Sequence, residues 1–179
     1  MSSTPFSTSS QRLPTLTEWS IDHIRNIFEA STDSHALQAI TNTFSDTLSA
    51  SVNGKPLNRS GVEHLVLGMR RAAAAAGLKV DWERTLEVPD DDATNRDGSF
   101  GGFYTISGLR KEIPGSRTLA DFIRHKTVTV RIESQSNDQN VDSRKIVSLV
   151  FVATDVPVAS STSSITSAGQ VNAMPVTRV

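Results

Sequence analysis

Four side chains in this sequence have the types and settings that acid–base or carbonyl chemistry uses: Asp46, Arg84, Tyr104 and His125. A carboxylate such as Asp46, seated in an apolar pocket, holds its proton more tightly and can shuttle it beside a carbonyl. Asp46 is expected at the end of a second helix, where the competing outcome is a solvated helix-end carboxylate. Arg84 falls in phase with Val80, Trp82 and Leu86 on the apolar face of an expected strand. A buried, unpaired guanidinium is costly, so Arg84 must clamp an anion or carbonyl oxygen, join a structural ion pair, or turn to solvent at a bend. Tyr104, the only tyrosine, sits mid-strand beside glycines. Its phenol can polarise a substrate oxygen, with core packing as the alternative. His125 is the one histidine in an expected strand, alternating with Ile123 and Thr127, and imidazole titrates near neutrality. Trp82 and Phe100 join Arg84 as the expected ligand-contacting positions.

Other patterns fail on spacing. Aligning Gly98 with the glycine of a calcium loop puts Ala93 at the first ligand position and Tyr104 at the last, where a carboxylate is required. The Gly98-Ser99-Phe100-Gly101-Gly102 stretch lacks both nucleotide-fingerprint spacing and a following helix. No pair of histidines has metal-ligand spacing, and the chain has no cysteine, which removes thiolate zinc sites, disulfides and cysteine nucleophiles together. No cofactor and no metal are expected.

The 18 basic and 19 acidic residues of this 179-residue chain nearly cancel, leaving a formal charge of −1. Such a chain has no global field to hold it on nucleic acid or an anionic membrane, so neither is an expected partner. The first residues have neither the charged nor the apolar block of a secretory leader, and no apolar run approaches the roughly 20 residues that cross a bilayer. A cytoplasmic protein is expected.

The elements that must position these groups follow from periodicity. Residues 1–14 and 158–179 are rich in Ser, Thr and small side chains and are expected to be disordered tails around a single domain at 15–157. Thr15 and Glu18 match a capping box that starts a first helix, with Ile21, Ile24, Ile27 and Phe28 as its apolar stripe. A second helix is expected to carry Leu37, Ile40, Phe44 and Leu48. Asn53-Gly54 predicts a hairpin turn. Ser60 and Glu63 offer a capping box for a third, longer helix running to Ala76, with Gly77 as its left-handed stop. The five alanines at 72–76 would let a sheet approach that helix closely. Four strands are then expected near 78–88, 99–111, 122–134 and 144–155, with glycines in the second marking bulges or bends.

This order, with the segment DTLSASVNGKPLNRSGVEHLVLGMR, resembles the nuclear transport factor 2-like superfamily, in particular its SnoaL-like branch, over roughly residues 16–156. The resemblance implies an α+β cone: a bent, mixed but mainly antiparallel sheet wrapped around a long helix, after two N-terminal helices. It also implies an apolar cavity at the open end, often in a homodimer, and places Asp46 near the cavity mouth. Members of that superfamily include isomerases, cyclases and dehydratases as well as proteins without known activity, so the fold sets little about function. Two functions are therefore expected. The first is a homodimeric domain that binds a small apolar ligand or a partner. The second is a cofactor-independent isomerase, cyclase or dehydratase, in which Asp46 or His125 moves a proton while Tyr104 or Arg84 stabilises an oxyanion. Convergence of these four residues on one pocket separates the two.

The last strand is apolar in both alternating sets: Ile146, Val150 and Val152 on one side, Val147, Leu149, Phe151 and Ala153 on the other. A solvated sheet shows one polar face. A homodimer through the outer sheet face is expected to cover the surplus, and Leu149→Asp would break it. A bend of the same chain covering that face is the alternative.

Overall fold

The computed structural model describes residues 12–113 and 115–158; the expected tails lie almost wholly outside the described residues. The elements are α1 (Leu16–Phe28), α2 (Asp33–Thr43), β1 (Phe44–Val52), β2 (Lys55–Leu57), α3 (Arg59–Arg71), β3 (Lys79–Pro89), β4 (Gly98–Glu112), β5 (Leu119–Ser134) and β6 (Arg144–Pro157). The strands form one sheet in the order β2-β1-β6-β5-β4-β3. Every neighbouring pair is antiparallel except β1 and β6, which run parallel. This is the expected α+β architecture with a mixed, mainly antiparallel sheet.

Local chemistry accounts for most boundaries. The Thr15 hydroxyl accepts from the Glu18 N–H and the Glu18 carboxylate from the Thr15 N–H, the complete capping box. Asn53 and Gly54 both take positive φ, 50° and 77°, and turn β1 into β2. Arg70 of α3 reaches back to the carbonyls of Phe28 and Ala30, giving the end of α1 hydrogen-bond donors it lacks internally. Arg144, fully buried at the start of β6, grips Asp142 through Nε (2.9 Å) and Nη2 (2.8 Å). Its Nη1 donates to the carbonyls of Pro14 (2.8 Å) and Asn95 (3.0 Å), which ties the entry of α1 to the loop between β3 and β4.

Two helix boundaries differ from expectation. α2 ends at Thr43, and Phe44 and Leu48 belong to β1. A spacing of four keeps two residues on one face of a strand as well as of a helix, so Phe44 and Leu48 fit both readings. The Ser and Thr residues at 45, 47, 49 and 51 set a period of two that favours the strand. α3 starts from Asn58, whose side chain accepts from the Gly61 N–H, and not from the Ser60–Glu63 box. It ends at Arg71, so most of the alanine run lies outside the helix. Ala73 instead bridges Leu109 of β4, Ala74 N–H donates to Gly108 (2.8 Å) and Arg110 N–H to Ala72 (2.8 Å). The close approach expected of the alanines is real, but it is made by backbone against backbone. Gly108 is what permits it: φ is +85°, and a Cβ there would stand 2.2 Å from the Gly77 carbonyl oxygen.

Bulges then redirect side chains. In β3 the pairing slips between Trp82 and Arg84, so the alternation inverts. Trp82 stays on the inner face, whereas Arg84 is exposed and Leu86 and Val88 are 70% and 60% exposed. In β6 the slip beside Val147 brings Ile146 into line with Leu149 and Phe151, all three buried, and leaves Val150 and Val152 outside. The two faces of β6 are therefore not the sets that strict alternation predicts. α1 packs its buried face on β3 and β4, and Val62, Val66 and Met69 of α3 close the same core.

Candidate functional site

Between α1, α3 and the inner face of the sheet lies an apolar cavity of about 40 Å³, walled by Ile24, Phe28, Val66, Met69, Leu149 and Phe151 among others. Its polar groups are Tyr104 of β4 and Lys126 of β5, which face each other directly across the two strands. Alternation along β5 sends Phe122, Lys126, Val128, Val130 and Ile132 inward, and all five are buried. Lys126 is only 8% exposed. Its Nζ lies over three rings, 4.1 Å from the centroid of Phe151, 5.1 Å from Tyr104 and 5.3 Å from Phe28. Among the described residues neither Lys126 Nζ nor the Tyr104 hydroxyl has a hydrogen-bond partner, and no carboxylate pairs with Lys126.

The electrostatics follow from that seclusion. Burial, reinforced by the nearby Arg124 guanidinium, pulls Lys126 down from the ordinary lysine range to about 7. Burial pushes the Tyr104 phenol up, against the opposing influence of Arg124, so it stays protonated. Arg124, two residues before Lys126 on the same inward row, is itself committed. It holds Asp155 of β6 with Nε at 2.7 Å and Nη2 at 2.9 Å, and its Nη1 meets Met69 Sδ at 3.0 Å. Lys111 pairs with the same carboxylate. The Arg124 hydrogen bonds hold Asp155 down to about 2 against burial, helped by Lys111. The result is an amine that is half deprotonated near neutrality and a phenol that can only donate or accept a hydrogen bond, side by side in an apolar wall. An amine in that state can act as a base or as a nucleophile.

The expected site residues divide into two groups. Trp82, Phe100 and Tyr104 are brought together: the Trp82 ring lies 4.3 Å from Tyr104 and 5.4 Å from Phe100. Asp46, Arg84 and His125 point elsewhere. The Asp46 side chain is 94% exposed and pairs with Arg59, because the irregularity in β1 between Phe44 and Ser49 rolls it outward. Arg84 is turned to solvent by the β3 bulge. His125 sits on the outer face of the sheet, its ring 6.0 Å from that of Phe103. The four residues do not converge on one pocket. Lys126 is the residue that sequence reasoning passed over. The signal was present, since Lys126 shares a phase with Phe122, Val128 and Val130, the same argument that singled out Arg84.

Among the described residues no group of three or more His, Asp or Glu side chains could hold a metal ion, and no helix is long and apolar enough to cross a membrane. No known family model and no curated protein matches the sequence. Solved structures do match the fold. A hexachlorocyclohexane dehydrochlorinase, LinA type 3 from Novosphingobium barchaimii, superposes with a TM-score of 0.54 at 12% identity, over 81% of this chain and 88% of that one. AclR, a putative hydroxylase from Streptomyces galilaeus, gives 0.52 at 14% identity over 76% and 90%. IdmH, a putative polyketide cyclase from Streptomyces antibioticus, gives 0.50 at 12% identity over 74% and 90%. The backbone fold is thus shared with this dehydrochlorinase and this putative polyketide cyclase, in keeping with the α+β fold that the resemblance to the nuclear transport factor 2-like superfamily implied. At these identities the likeness concerns the backbone alone.

Proposed function

We propose that the protein is a homodimeric domain that binds a small, mainly apolar molecule in the cavity at Lys126 and Tyr104. One observation carries this reading: Lys126 and Tyr104, side chains of buried residues with no hydrogen bond among the described residues, line a cavity whose remaining wall is apolar. A ligand with one polar end would supply these two groups with the hydrogen-bond partner that the cavity wall does not. The fold neighbours, a hexachlorocyclohexane dehydrochlorinase and a putative polyketide cyclase, are consistent with a small-molecule role for this architecture.

Size limits the ligand. A cavity of about 40 Å³ takes a few heavy atoms. Longer molecules must displace Met69 or the half-buried Leu57 and Leu65 at the α3 side. The test is a panel of small alcohols, ketones and amides followed by methyl chemical shifts of Val128 and Leu149. Binding should be saturable and should vanish in Val66→Trp, which fills the cavity. A panel that leaves those methyls unmoved would sink the reading.

Self-association is supported by the outer face. The strand registers align Val150, Thr129, Gly101 and Leu86 in one row and Val152, Thr127, Phe103 and Arg84 in the next. Val150, Val152, Leu86 and Val88 are all more than half exposed. An apolar patch of that kind on a sheet is a natural contact for a second copy of the chain.

A further inference from the structure

We propose that Lys126 forms an imine with a short-chain aldehyde held in the interior cavity. This rests on reading the cavity as a ligand site and deepens it by naming the ligand class as carbonyl compounds. Three observations support the step. First, Lys126 has no counter-ion among the described residues. The carboxylate nearest in the inward row, Asp155, is occupied by Arg124 and Lys111, and Glu29 at the end of α1 is occupied by the Val80 N–H and Lys79. A buried amine without a carboxylate is best accommodated neutral, with its lone pair free. Second, the surround of Nζ is aromatic: Phe28, Tyr104 and Phe151 present ring faces. Those faces stabilise the positive charge of a protonated imine. That ion has one N–H to satisfy, where an ammonium has three. Third, the free space fits about one to three carbons beside the amine.

The step balances without a redox partner. The Nζ lone pair adds to the carbonyl carbon, and the carbonyl π pair moves to oxygen, which takes up the proton that nitrogen loses. The remaining proton of the carbinolamine nitrogen then passes to that oxygen, which leaves as water and gives a carbon–nitrogen double bond; uptake of one proton from solvent gives the protonated imine. The Tyr104 phenol, directly across from Lys126 and lining the same cavity, is the available hydrogen-bond donor for the departing oxygen.

The pH behaviour distinguishes this lysine from the other four. Its charged and titratable neighbours are Arg124 on its own strand, which is bound to Asp155 of β6 together with Lys111, and Tyr104 on β4. With its amine at about 7, its neutral fraction at pH 7 exceeds that of an ordinary exposed lysine by about a thousandfold.

The experiment treats the full chain with acetaldehyde and sodium cyanoborohydride at pH 7 and locates the ethyl groups by peptide mass mapping. Lys126 should be alkylated at least about a hundredfold faster than Lys55, the exposed lysine of β2, with a rate midpoint near pH 7. Labelling of the chain's α-amine is separate and maps to another peptide. Lys126 labelled no faster than Lys55, or not at all, overturns the proposal. Propan-2-ol, which cannot form an imine, separates the two readings. If it shifts the Val128 and Leu149 methyls while acetaldehyde leaves Lys126 unmodified, the cavity binds ligands but the imine is wrong. If neither molecule acts, the cavity reading falls as well. Val66→Trp should abolish labelling at Lys126 and spare Lys55. If that variant does not fold, prior saturation with propan-2-ol should slow labelling at Lys126 alone, and no slowing places the reaction outside the cavity and overturns the proposal.

Discussion

Position 126 places a titratable amine where the neighbouring inward residues, Phe122, Val128 and Val130, are apolar. The consequence for stability has a definite sign. The unfolded lysine holds its proton up to about 10.5, and the folded one releases it at about 7. Between those values the unfolded state binds more protons, so stability rises with pH across that window and is flat below it. From pH 7.5 to 9.5 the gain should be about 2 kcal/mol. Lys126→Met should remove the slope and raise stability at pH 7, read by urea unfolding at several pH values. His23 gives a second window. Burial pulls it down to about 4, with Arg144 and Lys145 reinforcing and Asp142 and Asp22 opposing. The ring stacks on Trp19 at 4.0 Å and its Nδ1 meets the Thr43 hydroxyl at 2.9 Å. Stability should therefore fall as pH drops from 6.5 towards 4, by about 1–2 kcal/mol after solvent screening. His23→Gln should flatten that region. Trp82, Phe100 and Tyr104 were legible as a cluster because all three are large and inward by alternation. Asp46 and Arg84 were misplaced because each lies at an irregularity that alternation does not encode.

Those irregularities belong to the scale of the element. The order of helices and strands, the Thr15 cap and the Asn53-Gly54 turn were readable, because each rests on contacts between residues near in sequence. The bulges in β3 and β6 were not, since they depend on which strand lies alongside. Their effect on β6 is testable. Leu149 faces the core, so Leu149→Ala should cost about 2–5 kcal/mol, and Leu149→Asp should unfold the chain instead of merely parting a dimer. Val152→Ala, on the outer face at 63% exposure, should change the stability of the monomer by less than about 0.5 kcal/mol. Equal effects at the two positions would contradict the β6 register. Gly108→Ala should destabilise by more than about 1 kcal/mol, because its positive φ and its close contact with Gly77 both exclude a methyl group.

For the whole molecule, the apolar rows on the outer face predict a dimer. Light scattering at micromolar concentration should give about twice the 19.3 kDa chain mass. The double variant Val150→Asp, Val152→Asp should halve the mass while leaving the helical circular dichroism intact. A wild-type chain that runs as a monomer would remove the dimer from the proposed function, without touching the cavity. The alternation in the last strand made an uncovered apolar face readable; which residues form it was not, because the bulge beside Val147 reassigns them.

The contact of Trp82 with Tyr104 has an optical consequence. The chain has two tryptophans, and the indole N–H of Trp82 is buried without a hydrogen-bond partner while its ring lies 4.3 Å from the phenol that lines the cavity. An indole whose N–H is held out of water emits at shorter wavelength than a solvated one, and anything entering beside Lys126 alters the dipoles one ring away. The protein thus carries its own fluorescent reporter: Trp19→Phe would leave Trp82 as the sole emitter, and its colour and lifetime would register each arrival at the cavity without an added label.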